Sequence, residues 1–193
     1  MAELIGVVLA GGERSRTGRA RGRLTLDGMT LAERAARALR PLTASVLVSV
    51  APGSVNPAPK YPCVEDAPPD RRGPLAGLEA VMKVTGDADL LVLACVYPTF
   101  PTEALRVLVT TADEGDDVCF PVDSRGRDHP LIGLWRRSAE PRIREALGNR
   151  IYKVRALLAD LSVRRVPPSA FRGLDLDGPL DPIEGPEALD RRA

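Results

Sequence analysis

Leu4-Ile5-Gly6-Val7-Val8-Leu9-Ala10-Gly11-Gly12-Glu13-Arg14-Ser15-Arg16-Thr17-Gly18 is the stretch that decides how this chain folds. Residues 4–10 form an unbroken apolar run, as expected of a strand buried on both faces. Gly11-Gly12 ends the run. Glycines let the main chain approach a polyphosphate closely, and consecutive N–H groups make an anion-binding concavity. Arg16 adds a guanidinium suited to a bidentate grip on phosphate oxygens. The plainer alternative is a solvated glycine connection. The strand context and the arginine-rich continuation favour a phosphate-binding loop. Its spacing fits neither the P-loop nor GxGxxG, which sets aside the usual ATPase and dehydrogenase readings.

Outward from this loop, strand-like runs alternate with helix-period segments. Thr30-Leu31-Ala32-Glu33 reads as a capping box opening a helix with Leu31, Ala35, Ala38 and Leu39 on one face, ended by Pro41. Residues 45–50 read as the second strand and the proline-rich 56–62 as a surface loop. Helices are expected at 75–84, 101–112, 141–147 and 151–161, with Ile151, Val154, Leu158 and Leu161 of the last forming a core-facing stripe. Strands are expected at 90–96, 118–122, 130–135 and 162–166. Residues 173–186 read as a loop leading to a short C-terminal helix. This alternation predicts an α/β fold, a mostly parallel sheet with helices on both faces. Ligands of such folds sit beyond the carboxyl ends of the strands, here the loops after Ala10, Val50, Asp66 and Val96.

The chain's 193 residues suit a single domain spanning 1–193. Its 27 Lys+Arg against 26 Asp+Glu give a net charge of +1, so no basic field invites nucleic acid or an anionic membrane. No stretch approaches the ~20 apolar residues of a membrane span, and no secretory signal is evident; a soluble, cytoplasmic protein is expected. Cys63, Cys95 and Cys119 form no CxxC pair and read as buried small hydrophobes. With His129 the sole histidine, zinc is disfavoured.

The opening loop resembles the LAGGxSxRxG signature of nucleotidyltransferases that activate sugars and cofactors from nucleoside triphosphates. Three further blocks resemble, in order, those of the molybdenum cofactor guanylyltransferases. They are Glu65-Asp66 with Gly73-Pro74-Leu75-Ala76-Gly77-Leu78; the strand leading into Cys95-Val96-Tyr97-Pro98; and Arg127-Asp128-His129-Pro130. The resemblance covers nearly the whole chain. It implies a three-layer Rossmann-like fold with a mixed sheet, and transfer of GMP from Mg-GTP to molybdopterin with release of pyrophosphate. It also implies that Leu9, Ala10, Gly11 and Gly12 hold the nucleotide by their backbone and that Arg16 faces phosphate. Ser49 and Asp66 would contact the nucleotide. Gly73, Pro74, Leu75, Ala76 and Gly77 would shape the base and ribose pocket, and Asp128, His129 and Pro130 would lie beside the pterin. Molybdoenzymes or cofactor-biosynthesis proteins are the partners implied. The plainer readings are a turn carboxylate at Asp66 and an ordered loop histidine at His129.

Two positions depart from the family's pattern. Its loop lysine matches Arg21, which keeps the charge but not the compact ammonium. Its metal-binding aspartate, in a Cys-Asp-x-Pro context, matches Val96, whose isopropyl group coordinates nothing, and Cys95 is too soft a ligand for Mg²⁺. A second polar position on the metal side aligns with Pro182 or with Asp175, depending on register; Asp175 and Asp177 read equally well as turn formers. Two functions follow: a working guanylyltransferase whose metal is held by Asp66, Asp175 or the triphosphate itself, or a nucleotide- or pterin-binding homologue without turnover acting as a partner protein. A cytidylyl- or sugar-nucleotidyltransferase is a third.

Overall fold

A computed structural model describes residues 3–11, 21–66, 73–183, 185 and 188. In chain order its elements are β1 (Leu4–Leu9), β2 (Thr25–Leu26), β3 (Met29–Thr30), α1 (Leu31–Leu39), β4 (Ser45–Val50), β5 (Cys63–Glu65), α2 (Pro74–Thr85), β6 (Asp89–Ala94), α3 (Thr102–Thr111), β7 (Val118–Pro121), β8 (Ile132–Trp135), α4 (Glu140–Gly148), α5 (Val154–Leu157), β9 (Val163–Val166) and α6 (Asp177–Leu180). Seven strands form one sheet in the order β5-β4-β1-β6-β8-β7-β9. The β1–β4, β1–β6, β4–β5 and β7–β9 pairings are parallel, whereas β8 runs antiparallel to both β6 and β7. The sheet is thus the expected mostly parallel, mixed one. The chain builds leftward from β1 and then returns to β6 on its other side, so β1 sits where strand order reverses, with its carboxyl end at the expected ligand crevice.

The apolar run of β1 works because both sides of the strand are covered. Ile5, Val7 and Leu9 pack into one core with Leu75, Leu78 and Met82 of α2, while Val8 and Ala10 pack into a second core with Leu31, Ala35 and Leu39 of α1. β6 divides in the same way, Leu90 and Val92 to the first core and Leu91 and Leu93 to the second. The two-residue side-chain period turns one sequence run into a wall shared by two layers. Between them, Gly6 leaves room for α1: a Cβ there would stand 3.1 Å from that of Leu39. The Thr30 hydroxyl caps α1 by accepting from the Glu33 amide at 3.1 Å, as expected, and donates to Pro57 O at 2.8 Å. Glu33 reaches Lys60 at 3.6 Å.

Several expectations are corrected. The chain enters α1 through the short β2–β3 hairpin, turned by Asp27 and Gly28 at positive φ (49° and 74°). This is the Asp-Gly hairpin signal. The expected helix 151–161 is only α5 plus one 3-10 turn, and Ile151 is exposed, while Val154, Leu158 and Leu161 are buried as read. The 56–62 loop is tied down rather than purely superficial: Ala58 is fully buried and Asn56 bonds both to the Ala58 amide and to Tyr61 O. Cys63 is exposed, unlike Cys95 and Cys119. The expected C-terminal helix falls largely outside the described residues. Among the described residues no helix is long and apolar enough to cross a membrane.

Gly133, in the antiparallel β8, adopts φ 143°, and a Cβ there would lie 2.0 Å from the Cys119 carbonyl oxygen of β7. Backbone cannot retreat as a flexible side chain can, so Gly133→Ala is expected to lose about 3 kcal/mol or more in urea unfolding. A loss within about 0.5 kcal/mol, the usual range for an uncritical surface position, is the result that contradicts this strand pairing.

Candidate functional site

The carboxyl ends of β1, β4, β5 and β6 are stitched together by main-chain bonds. Ala10 N donates to Ser49 O at 2.9 Å, Asp66 N to Val50 O at 2.9 Å, and Cys95 N to Leu9 O at 3.1 Å. Onto this edge the first turn of α2 is laid. Gly73 enters it at φ 65°, which a residue with a side chain rarely adopts, and Pro74 occupies the first turn, where its missing N–H costs nothing. One turn on, Gly77 faces the strand tips: a Cβ would stand 2.4 Å from Ser49 Oγ, 3.2 Å from Asp66 Oδ1 and 3.3 Å from Leu9 Cδ2. Gly11 is constrained alike, its would-be Cβ 2.9 Å from Asp66 Oδ2 and 3.0 Å from Ala51 N.

Leu9, Gly11, Ser49, Asp66 and Gly77, read from separate parts of the sequence, are therefore brought together. Buried Ser49 donates its hydroxyl to Asp66 Oδ1 at 2.8 Å. Burial raises the Asp66 carboxyl above its ordinary value, and the Ser49 bond opposes this only in part. Leu75 is different: it is fully buried and packs into the core beneath the sheet. The Leu9 carbonyl and the Ala10 amide are already committed to the ladder, so main-chain donors for a ligand begin at Gly11. Gly12 and Arg16 lie outside the described residues.

Arg21 stands at the same end. Its neighbour Gly22 packs on the tip of β1, where a Cβ would meet those of Ala10 at 3.1 Å and Pro57 at 3.5 Å. The turn Arg21–Arg23 is closed by Leu24 N donating to Arg21 O at 3.0 Å. Arg21 Nε is buried and, among the described residues, has no hydrogen-bond partner. Burial pushes the Cys95 thiol up to about 12, against the opposing influence of the Arg21 charge, so this cysteine is a neutral group beside a guanidinium.

Beyond β6 lies a second polar cluster. His129 is buried, with Nε2 3.3 Å from Asp123 Oδ2 and Nδ1 3.5 Å from the Tyr97 hydroxyl, and the Tyr97 ring meets it edge-on at 5.9 Å. Asp123 is the centre of this cluster. Its Oδ1 accepts from the Arg125 and Arg127 amides at 2.9 and 2.8 Å, and Oδ2 from Arg127 Nε at 2.5 Å. Desolvation works to raise the Asp123 pKa, but the Arg127, His129 and Arg125 donors outweigh it and hold the carboxylate well below the usual range. Sequence reasoning missed both Asp123 and Tyr97; Asp123-Ser124-Arg125-Gly126 carried a turn signal. The Asp128-His129-Pro130 triplet divides. Pro130 is buried and its carbonyl accepts from Trp135 Nε1 at 2.8 Å. Asp128, alone of the three, faces a cavity of about 820 Å³ beside β9, paired with Arg165 at 3.1 Å.

A model of the MobA-like NTP transferase domain matches residues 6–166. The chain belongs to this family. It is 33% identical over 147 residues to a probable molybdenum cofactor guanylyltransferase of Carboxydothermus hydrogenoformans, a match covering 76% of this chain and 73% of that one. It is 30% identical over 189 residues to a molybdenum cofactor guanylyltransferase of Rhizobium rhizogenes, covering 94% and 86%. The fold resembles that of molybdopterin-guanine dinucleotide biosynthesis protein A from Archaeoglobus fulgidus, with a TM-score of 0.78 at 23% identity over 97% and 95% of the two chains. A CMP:2-keto-3-deoxy-manno-octonic acid synthetase complexed with CTP has a TM-score of 0.74 at 13% identity over 99% and 97%, a likeness of fold alone.

The nucleotidyltransferase resemblance brings an expectation of Mg²⁺ at the end of β6, and the side chains there do not fit it. Val96 has no donor atom in its side chain, and its carbonyl accepts from Ile183 N at 2.8 Å. Cys95 is a neutral, soft thiol. Asp66 lies at the end of β5, with β4 and β1 intervening. Asp175, the other expected ligand, accepts from the Asp177 amide at 3.1 Å as a turn former and lines a cavity of about 160 Å³ with Val122, Asp123 and Ser124 on the β7 side. Among the described residues no three His, Cys, Asp or Glu side chains gather to hold a metal.

Because Asp123 stays ionised in the folded protein below the pH at which an unfolded aspartate (~3.9) protonates, it contributes stability that is complete above that value and lost as pH falls. Asp123→Asn turns an amide toward the donors and is expected to destabilise by about 2–3 kcal/mol at pH 7. Urea midpoints measured from pH 7 to 3 should fall less steeply for the variant than for the wild type. Parallel acid limbs contradict the assignment.

Proposed function

We propose that this chain binds GTP at the carboxyl ends of β1, β4 and β5 and transfers GMP to molybdopterin, releasing pyrophosphate. One observation carries the reading: the convergence of Leu9, Gly11, Ser49, Asp66 and Gly77 at the reversal of strand order. Proteins about 30% identical over most of this chain bear the guanylyltransferase name. A GTP-consuming step also suits a cytoplasmic location.

In the proposed reaction, an oxygen of the molybdopterin phosphate attacks the α-phosphorus of GTP. The bond from that phosphorus to the bridging oxygen breaks, and pyrophosphate leaves with the electron pair. The nucleophile is already an anion, so no protein base is required. The barrier is repulsion and misalignment, which positioned amides and cations reduce. The Gly11 and Gly12 main chain, with Arg16 and Arg21, face the triphosphate in this reading. Asp66 Oδ2 accepts from a nucleoside N–H or O–H group, while Ser49 holds its other oxygen. Gly73 and Pro74 set the turn that presents Gly77, whose missing side chain lets α2 close on Ser49 and Asp66 and so shape the wall of the nucleoside pocket. Asp128 borders the pterin, with His129 and Pro130 packed behind it.

Val96 favours a second reading, in which the pocket binds nucleotide without turnover. Isothermal titration and a pyrophosphate-release assay with GTP and molybdopterin separate the two. Release supports the transferase; GTP binding without release supports the binding module. CTP or UTP binding more tightly than GTP contradicts the guanylyl reading and points to a cytidylyl- or sugar-nucleotidyltransferase. Asp66→Asn removes a desolvated charge, so its melting temperature is expected to rise by about 1–3 °C. Its GTP affinity should fall about tenfold or more, the value of a hydrogen bond to a charged group. Unchanged affinity removes Asp66 from the site.

A further inference from the structure

We infer that the outer edge of β9 is a docking site for another protein, which lays a short extended segment bearing Asp or Glu side chains against it as a further strand. The site is separate from the nucleotide edge, since β9 and β5 close opposite ends of the sheet.

The main chain is the first argument. Asp117 N and Val118 N both donate to Ser162 O, and Val122 N donates to Val166 O, so alternate residues along this strand turn toward β7. Val163 and Arg165 lie between them and turn their N–H and C=O groups away from the sheet, where no partner meets them among the described residues. Such an edge takes an added strand through its main-chain groups. Pro167 and Pro168 end it, so the segment it takes is short. The second argument is shape. The cavity of about 820 Å³ borders this edge, and Val163 and Arg165 line it together with Val122, Leu158, Ala159 and Leu161. A strand presents alternate side chains to one face, so an apolar residue set between two acidic ones fills the cavity while the main chain pairs.

The third argument is charge. Residues 149–166 carry Arg150, Lys153, Arg155, Arg164 and Arg165 against the single acid Asp160. Arg164 is held by Asp113 and Asp116, and Arg165 by Asp128. Arg127, which also lines the cavity, is held by Asp123 and Asp181. Arg155 lines the cavity too, but it is exposed and has no ion pair among the described residues, as is true of Arg150 and Lys153 in the chain leading to it. An acidic segment matches these cations. A second copy of this chain does not, because each symmetric pairing of Val163–Val166 with itself sets arginine beside arginine.

Selection of displayed random peptides of about nine residues against the full chain tests the inference. Peptides that alternate Asp or Glu with Val, Ile or Leu should be enriched. Their binding should slow hydrogen exchange of the Val163 and Arg165 amides about tenfold or more, as read by two-dimensional NMR. Combining Lys153→Glu with Arg155→Glu should weaken binding about fivefold or more at low salt, and methylating alternate peptide amides should abolish it. No enrichment, enrichment of peptides without acidic residues, or slowed exchange confined to other amides overturns the inference. So does full affinity for the charge-reversed variant. A dimer that protects the same two amides without peptide assigns the edge to a second copy, and binding of a single-stranded oligonucleotide with no peptide enriched assigns the basic surface to nucleic acid; either result overturns it. If the charge-reversed variant does not fold, amide exchange in the wild type decides by itself.

Discussion

A methyl group on Gly77 would stand 2.4 Å from the Ser49 hydroxyl, and one on Gly11 would stand 2.9 Å from the Asp66 carboxylate. The packing of α2 on the strand tips depends on those two missing side chains. Without them the first turn of α2 would ride higher on the sheet, and Ser49 would be pushed off Asp66. The carboxylate, already desolvated, would then lose the bond that holds it. The geometry is supported from below by Leu75 and Leu78, which anchor α2 in the core shared with Ile5, Val7 and Leu9. Core packing thus sets the height of the helix, and the glycines turn that height into contact between a helix start and three strand tips.

How much of this was legible depended on where each signal resides. β1 and β6 were readable because strands covered on both faces must be apolar throughout, and few other local structures write that pattern. β5, three residues long at the sheet edge with exposed Cys63 and Glu65, has no such pattern to offer. The antiparallel direction of β8 was not legible either, since apolar runs do not state which way a strand points. Its mark is Gly133, whose φ of 143° and close approach to Cys119 emerge only once β7 is beside it. The segment 151–161 has helical spacing, yet only Val154–Leu157 is α-helical, because Ile151 finds no core to join.

The site divides in the same way. Leu9, Gly11, Ser49, Asp66 and Gly77 drew attention because each closes a strand or opens a helix, positions that sequence pattern marks, and the fold brings them together. Asp123 and Tyr97 were missed because their roles exist only across strands. Asp123 gathers donors from its own loop and from His129, and Tyr97 reaches His129 from the end of β6. The histidine drew attention as the chemically versatile residue, but both ring nitrogens face protein partners, so it braces the loop that carries Asp128. Asp175 shows the converse: a carboxylate chosen for its chemistry is occupied in holding its own turn.

The polarity of the pocket gives these observations a direction. At the β5 end stands a half-buried carboxylate, held by Ser49 on one oxygen; at the tip of β1, beside Cys95, stands the Arg21 guanidinium. The tip of β1 lies between them. A nucleoside triphosphate carries the complementary sequence of groups, N–H and O–H donors at one end and anionic oxygens at the other. In the proposed reading, a ligand of that polarity lies across β1 with its donors toward Asp66 and its anionic end toward Arg21. A single guanidinium carries half the charge of a divalent cation, and Coulomb attraction scales directly with charge. It therefore secures the ground-state triphosphate more readily than it offsets the further charge that gathers at phosphorus during transfer. The arrangement around Val96 accordingly favours strong holding over fast chemistry.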